Sequence, residues 1–431
     1  MNAGTICRKF AIGSGLIETA REMKILVLNS GSSSQKSNLY EVGSDLPDGP
    51  PAPLWEAKIE WEVDNAQISV STSHGAVFQE RLKVPARAAA IEQMLDTLWN
   101  GSASVLSDPT QVDVAGHRIV HGGQRFKQPI VVTSEVKDAI AAMSAFAPLH
   151  NRAELEGIDL VEMKIGAIPQ VAVFDTSFHS DLPQVAAVYP GPYEWVSRGI
   201  RRYGFHGINH QYCAERAAQL LGRDPTSLKL ITCHLGNGCS LAAVKAGRSI
   251  DTTMGFTPLD GLMMGTRSGA IDPGILTYLM RQDGFTAQQL DDLLNTKSGL
   301  LGISGISRDM RRIVAEMNAG HTRARLAFDI FVHRLQSSIG AMIAVLDGLD
   351  ALIFTAGIGE NSPEVRAAAC SNLGFVGLKL DSSKNTHISG DQDISSPDSR
   401  VRILVVRAQE DWAIAKECWR ITSAKTHVRA H

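Results

Sequence analysis

Two stretches far apart in the chain read alike, and that likeness constrains the fold more than any other feature. In "MKILVLNSGSSSQKSNLYEV", residues 23–42, a short apolar run stops at Asn29, a turn of small and hydroxylic residues follows, and a second strand-like run closes at Val42. In "LKLITCHLGNGCSLAAVKAGRSIDTT" an apolar run again breaks on glycine, and a second strand, a basic turn and a third strand follow. Gly31-Ser32-Ser33-Ser34 and Gly236-Asn237-Gly238-Cys239 hold the same place in each hairpin. The repeat is weak, but it suggests a duplicated domain with one such turn in each half. Ser, Asn and Gly are ordinary turn residues, tolerant of positive φ or able to bond their own backbone. A Gly/Ser turn also exposes N–H groups and hydroxyls in a concavity that suits phosphate. No Walker loop is present, because G-x-x-x-x-G-K-[ST] is absent and a strand follows the first turn.

The rest of the chain alternates strand and helix patterns, which makes it α/β or α+β with mixed sheets. Its 431 residues exceed one ordinary domain. Strand-like runs surround Ile59 and Ala66 to Ser71, and "ARAAAIEQMLDTLW" has helical spacing. "SEVKDAIAAMSAFAPLHN" predicts a helix capped by Ser134 and ended near Pro148. "DPGILTYLMRQ", "TAQQLDDLLN" and "TRARLAFDIFVHRLQSSIGAMIAVL" predict further helices. "LDALIFTAGIGENSPEVRAAAC" predicts a strand, a glycine turn, and a helix opened by Ser362-Pro363-Glu364.

A net charge of −3 gives no electrostatic argument for nucleic acid or an anionic membrane. No apolar run approaches the roughly 18 residues that span a bilayer. The first 22 residues make a poor signal peptide, since Gly13, Ser14 and Gly15 break the apolar patch. They are expected to be a disordered extension. The six cysteines show no framework spacing and read as reduced thiols of a cytoplasmic protein.

The cationic candidates stand beside glycines: His117-Arg118 before Gly122-Gly123, His206 in "RRYGFHG", and Arg267 in "MGTRSG". Singly, each admits a solvated face or a structural ion pair. Converging on one cleft, such arginines suit phosphoryl transfer, because the guanidinium fork matches phosphate and carboxylate oxygens. His117/His121 and His206/His210 are both H-x-x-x-H, but neither carries the H-E-x-x-H glutamate of a zinc site. Asp175, ending "VAVFD", and Glu410, after "ILVVRAQ", fit a dication held by one or two carboxylates and phosphate. "GIGENS" lacks the third glycine of a dinucleotide fingerprint, but its turn would admit an adenosine.

Taken together, "NSGSSSQK", "GHRIVHGG", "FAPLHN", "VFDTSFH", "RRYGFHG", "CHLGNG", "TPLDGLMMGTRSG", "GISRDMR" and "FTAGIGENS" occur in the order seen in the acetate kinase family. The chain resembles that family from residue 23 to about 415. The resemblance implies two similar ribonuclease H-like (actin-like ATPase) domains, with mixed sheets flanked by helices and the active site in the cleft between them. The domains would be 23–174, completed by a C-terminal helix 411–431, and 175–410. It also implies a homodimer, and reversible transfer of the ATP γ-phosphoryl group to acetate with Mg²⁺, for which Mn²⁺ substitutes.

Residue by residue, the resemblance gives Arg118 and Arg267 the carboxylate and the transferring phosphoryl group, and His206 the equatorial charge. Asn29 and Glu410 would organise the metal, with Asp175 beside it. His234, Leu235, Gly236, Asn237 and Gly238 would line the phosphate path, supported by Ser32, Ser34 and Lys36. Asp309, Met310, Arg311, Gly357, Ile358, Gly359, Glu360 and Asn361 would surround the nucleotide. Val120, Leu149, Phe205 and Pro258 would hold the acetate methyl.

The residue types agree with this chemistry. A carboxylate is already ionised at neutral pH and needs no general base, so catalysis reduces to positioning and charge stabilisation. Departures from the family pattern include "HNRAE" from His150 on, Ala270 where Asp is common, Arg308 before Asp309 where Ser is usual, and "AQED" for "TNEE". A kinase of propionate or another short-chain acid, and a chaperone-like or filament ATPase, are the competing readings.

Overall fold

β1 (Met23–Ser30) and β2 (Ser34–Val42) form an antiparallel hairpin with Asn29 opposite Lys36 and Ser30 opposite Gln35. Ile25 to Leu28 are all buried, so β1 shows no alternation, as expected of a strand covered on both faces. The computed structural model of the chain describes residues 22–31, 34–61, 65–83, 87–143 and 151–429. The expected N-terminal extension, Ser32, Leu149 and the helix end near Pro148 lie outside the described residues.

From β2 the chain meanders through β3 (Trp55–Trp61), β4 (Asn65–Thr72) and β5 (Val77–Lys83). On the other side of β1 lie the parallel strands β6 (Val114–Ile119) and β8 (Gln170–Phe174), with the short β7 (Ile130–Val131) at the edge. The sheet order is β5-β4-β3-β2-β1-β6-β8-β7. A second sheet holds β9 (Lys229–Leu235), β10 (Cys239–Lys245), β11 (Arg248–Thr252), β12 (Ala351–Thr355), β13 (Gln392–Asp393) and β14 (Arg402–Val405). Its order is β11-β10-β9-β12-β14-β13. The segments β3-β2-β1-β6-β8 and β11-β10-β9-β12-β14 therefore repeat one topology: an antiparallel meander, then two parallel strands.

One apolar cluster joins the sheets. It contains Ile25 and Val27 of β1, Leu230 of β9 and Ile353 of β12. Between them lie Ile208, Tyr212 and Ala217 of the helix Gly207–Leu221 and Trp412 and Ile414 of the helix Glu410–Arg429. The C-terminal helix thus returns to the first sheet, where Trp412 meets Tyr40 edge-on at 5.5 Å between ring centroids. Gly116 of β6 admits this contact: a Cβ there would come within 2.5 Å of Cys418 Sγ and 2.6 Å of Ile414 Cγ2.

Local differences from the sequence reading have simple causes. Thr133, not Ser134, caps the helix Ser134–Ala142, its hydroxyl accepting from the Val136 N–H. "AGIGEN" is a short helix, Ala356–Asn361, rather than an open turn; Ala356 has φ 64° and its N–H donates to Glu360. Ser362 then caps Pro363–Cys370, with proline at the first turn as the sequence predicts. Among the described residues, no helix is long and apolar enough to cross a membrane.

Candidate active site

The site grows from the carboxyl ends of the parallel strands. Period-2 geometry puts Arg118 and Val120 on one face, and both line a cavity of about 150 Å³. Arg118 is pinned twice, by an ion pair to Asp175 at 2.5 Å and by donation to the Ser30 carbonyl at 3.1 Å. Asp175 follows β8; its N–H donates to the Ile119 carbonyl and its own carbonyl accepts from Gly207. Burial pushes the Asp175 carboxyl up to about 6 against the pull of Arg118. Asp175 and Glu410 in turn outweigh burial and hold Arg118 charged.

Val120 reveals a residue that the sequence did not. The Ile119 carbonyl faces β8, so the Val120 N–H turns to the opposite edge, where β1 pairs no farther than Leu28 with His117. Glu154, buried in the helix Asn151–Ile165, takes that N–H with both oxygens at 3.1 and 3.2 Å. Burial pushes its carboxyl up to about 8, opposed by Arg118.

His206, just before the helix Gly207–Leu221, closes the cavity from the other side. It has φ 58°, a left-handed conformation that costs a residue with a Cβ about 1 kcal/mol or more. Its ring stacks on His234 with centroids 4.0 Å apart and planes 13° from parallel. His234 Nδ1 accepts from the Asn209 amide at 2.8 Å. Burial holds His206 well below the usual imidazole range, and His234 down to about 4. Both rings are therefore neutral at pH 7. Gly238 lies between His206 and Arg267: a Cβ there would stand 3.3 Å from His206 Nε2 and 3.7 Å from an Arg267 guanidinium nitrogen. Arg267 also donates to the Pro258 carbonyl at 3.4 Å. Phe205, Pro258, Asn237 and Gly31 complete the cavity.

Asn237 lines a second cavity as well, of about 450 Å³, walled by Gly236, Asp309, Met310, Arg311, Gly357, Ile358 and Asn361. Arg308 and Ser362 complete that wall. Both cavities therefore border the glycine turn between β9 and β10. Asp309 caps the helix Met310–Asn318 and pairs with Arg311 at 2.5 Å.

Other expected residues take supporting places. Leu235 is core, and Glu360 accepts the N–H groups of Ala356 and Ala408 at 2.8 Å each. The Gly359 carbonyl accepts from buried Arg366. Lys36 lines neither cavity but acts electrostatically on Glu410 and Glu360. Asn29 donates to Glu410 at 3.2 Å and to Asp411 at 2.8 Å, while Asn38 donates to Asp411 at 2.8 Å. Burial works to raise Glu410, yet Arg118, His234 and Asn29 hold it below the ordinary range. A groove of about 520 Å³, lined by Phe178, Tyr212 and Lys416 among others, contains none of the expected site residues.

No group of three or more His, Cys, Asp or Glu among the described residues is placed to hold a metal unaided. The H-x-x-x-H pairs are used otherwise: His117 bonds Gln170, and His206 and His210 share the Ser240 hydroxyl. Buried Asp175 Oδ1, however, has no hydrogen-bond partner among the described residues, and Glu410 lies within electrostatic reach of Asp175. Hard carboxylate oxygens of this kind suit Mg²⁺, which keeps waters and substrate phosphates as its other ligands.

The repeated topology and the two cavities bordered by Asn237 define a phosphotransferase of the actin-like ATPase class. The acetokinase family model matches residues 24–416, and the chain belongs to that family. As a member it is a kinase that acts on acetate. The chain is 59% identical to an acetate kinase of Cyanothece sp. over 93% of its own length and 98% of that protein's. The solved structure of Porphyromonas gingivalis acetate kinase superposes with a TM-score of 0.85 at 37% identity, covering 93% of this chain and 100% of that one. A propionate kinase from Francisella tularensis matches with a TM-score of 0.84 at 37% identity, covering 92% and 99%.

Proposed function

We propose that this chain transfers the γ-phosphoryl group of ATP reversibly and directly to acetate, giving acetyl phosphate and ADP. The observation that carries this reading is that Asn237 lines both cavities, so a nucleotide in the larger one extends its phosphates toward Arg118, His206 and Arg267 in the smaller. Val120, Phe205 and Pro258 receive the acetate methyl, and Arg118 orients its carboxylate. Arg267 and His206 stabilise charge on the equatorial oxygens as the phosphoryl group passes in line between donor and acceptor. Mg²⁺, when bound by Glu410 with Asp175 and Asn29 around it, supplies neutralising charge for the phosphate oxygens. Asn29, itself held by Asp411, donates to the Glu410 carboxylate and fixes it from behind.

The two sheets are read as two domains, 23–174 with the C-terminal helix and 175–410, closing on the substrates. The enzyme is read as a cytoplasmic homodimer. The helix Pro273–Gln282 buries none of its residues, and Ile275, 46% exposed, and Tyr278, 61% exposed, stand three apart on one side of it; an apolar helix face of this kind suits a second copy. Light scattering of wild type and Tyr278→Glu tests the dimer, with a monomeric variant expected.

The match to a propionate kinase favours a second reading, in which propionate is the preferred acid. Trapping acyl phosphates as hydroxamates across formate, acetate, propionate and butyrate decides. Acetate is expected to give the highest kcat/KM; propionate leading would establish the second reading. ATP hydrolysis at full rate without any acid would remove both.

A further inference from the structure

Behind His206 runs a buried chain of hydrogen bonds that the roles above leave unused. Thr232 Oγ1 lies 2.7 Å from His210 Nδ1, His210 Nε2 lies 2.8 Å from Ser240 Oγ, and Ser240 Oγ lies 2.8 Å from His206 Nδ1. Thr232, His210 and Ser240 are fully buried. The fold brings them together simply. Thr232 and His234 alternate onto one face of β9, Ser240 stands opposite His234 across the ladder, and His210 follows His206 by one helical turn.

Such a chain runs in one of two senses. A hydroxyl carries one proton and a neutral imidazole carries one N–H, so fixing one proton fixes all of them. Burial holds His206 and His210 neutral. Among the described residues, His210 Nδ1 is the one hydrogen-bond partner of Thr232 Oγ1. Leaving the Thr232 proton without an acceptor in a buried place would incur the full desolvation penalty of the hydroxyl. Thr232 therefore donates to His210 Nδ1. The His210 proton then sits on Nε2 and goes to Ser240, the Ser240 proton goes to His206 Nδ1, and the His206 proton is left on Nε2. That nitrogen is the one beside Gly238 in the smaller cavity. In the opposite sense Nε2 would present a bare lone pair to phosphoryl oxygens, which repels them.

We propose that Thr232, His210 and Ser240 are positioning residues whose hydrogen-bond chain locks His206 in its Nε2–H tautomer, so that it donates to the transferring phosphoryl group. The proposal rests on the reading that His206 contacts that group. No proton is transferred along the chain during turnover; its polarity is static.

The test uses the full-length protein labelled with ¹⁵N-histidine, whose two-bond nitrogen–proton correlations distinguish the tautomers. Wild type is expected to show His206 and His210 both as Nε2–H. Ser240→Ala is expected to mix the His206 tautomers and to lower kcat by about ten- to a hundredfold, less than loss of a donor outright. The KM values for ATP and acetate should stay within about twofold. Ser240→Thr, which keeps the hydroxyl, should restore both readouts, and the near-isosteric Thr232→Val should loosen the His206 tautomer with a smaller loss of kcat. A wild-type His206 in the Nδ1–H form overturns the proposal, as does an unchanged tautomer in Thr232→Val, and these two readouts suffice if Ser240→Ala does not fold. Mixed tautomers with undiminished kcat in Ser240→Ala would instead overturn the donor role of His206, on which the proposal rests.

Discussion

Asn29 and Glu410 lie 381 positions apart and meet at 3.2 Å. The contact joins the end of the first strand to the start of the last helix. It makes the cleft depend on how the C-terminal segment docks, as well as on the residues that line it.

Packing beneath that helix should therefore register in metal binding. Gly116→Val would drive a side chain into Cys418 and Ile414. Overpacking of this kind typically costs about 1–3 kcal/mol, and the displaced helix carries Glu410. A lowered melting temperature together with a raised Mg²⁺ requirement is expected. A lowered melting temperature with an unchanged Mg²⁺ titration would separate the helix from the metal site.

Arg267 offers the cleaner test of charge stabilisation. Replacing Arg118 also strands the buried Asp175 carboxylate, which confounds activity with folding. No ion-pair partner of Arg267 occurs among the described residues. Arg267→Ala is expected to lower kcat by roughly a hundredfold or more, the scale of one preorganised donor, with little change in the melting curve. Near-wild-type kcat in the folded variant would remove Arg267 from the transition state.

Acid preference should depend on Val120. Its stiff β-branched side chain bounds the smaller cavity, and one methylene in an apolar pocket discriminates by about 1–3 kcal/mol. Acetate is expected over propionate by about tenfold in kcat/KM, with the difference mostly erased in Val120→Ala. If Val120 only fills the core, the variant will lose thermal stability by cavity formation and keep the ratio.

Glu154 should make stability depend on pH. Its carboxyl is raised in the folded protein to about 8 from an ordinary 4.5, so the folded state holds the proton more tightly than the unfolded. The resulting stabilisation is fully present below pH 4.5 and is lost as pH rises through 8. Glu154→Gln keeps a neutral acceptor for the Val120 N–H and lacks this dependence. Melts at about pH 5 and pH 9 should show wild type losing more stability than the variant. Parallel curves would show that Glu154 is ionised throughout.

The duplicated hairpins were legible because apolar runs broken by glycine survive as local pattern. Asn237 and Gly238 could be placed from that pattern alone. Strand β5, "VFQERLK", was not legible: its residues alternate between exposed and half-buried, and the strand exists because β4 offers it an edge. Glu154, Asp411 and Ser240 were missed for a related reason. Each matters through a partner distant in sequence, Val120, Asn29 or His210, and nothing in its own neighbourhood announces it. The Ser134 expectation failed by one residue because both Thr133 and Ser134 suit a cap and only the backbone decides; Thr133, at φ −124° and ψ 174°, has the extended form that a cap needs.

The docking of the helix Glu410–Arg429 on β1 and β6 also has a consequence for biosynthesis. Ribosomes deliver β1 nearly four hundred residues before this helix, so the emerging polypeptide carries an uncovered apolar sheet face until the helix has been made. During that interval Ile25 and Val27 lack the cover of Trp412 and Ile414, an invitation to chaperones or to aggregation. The carboxylate of Glu410 arrives only with the same helix. On the proposed reading, a nascent chain would lack that carboxylate, and the turnover of ATP that depends on it, until this helix has been made and folded back onto β1.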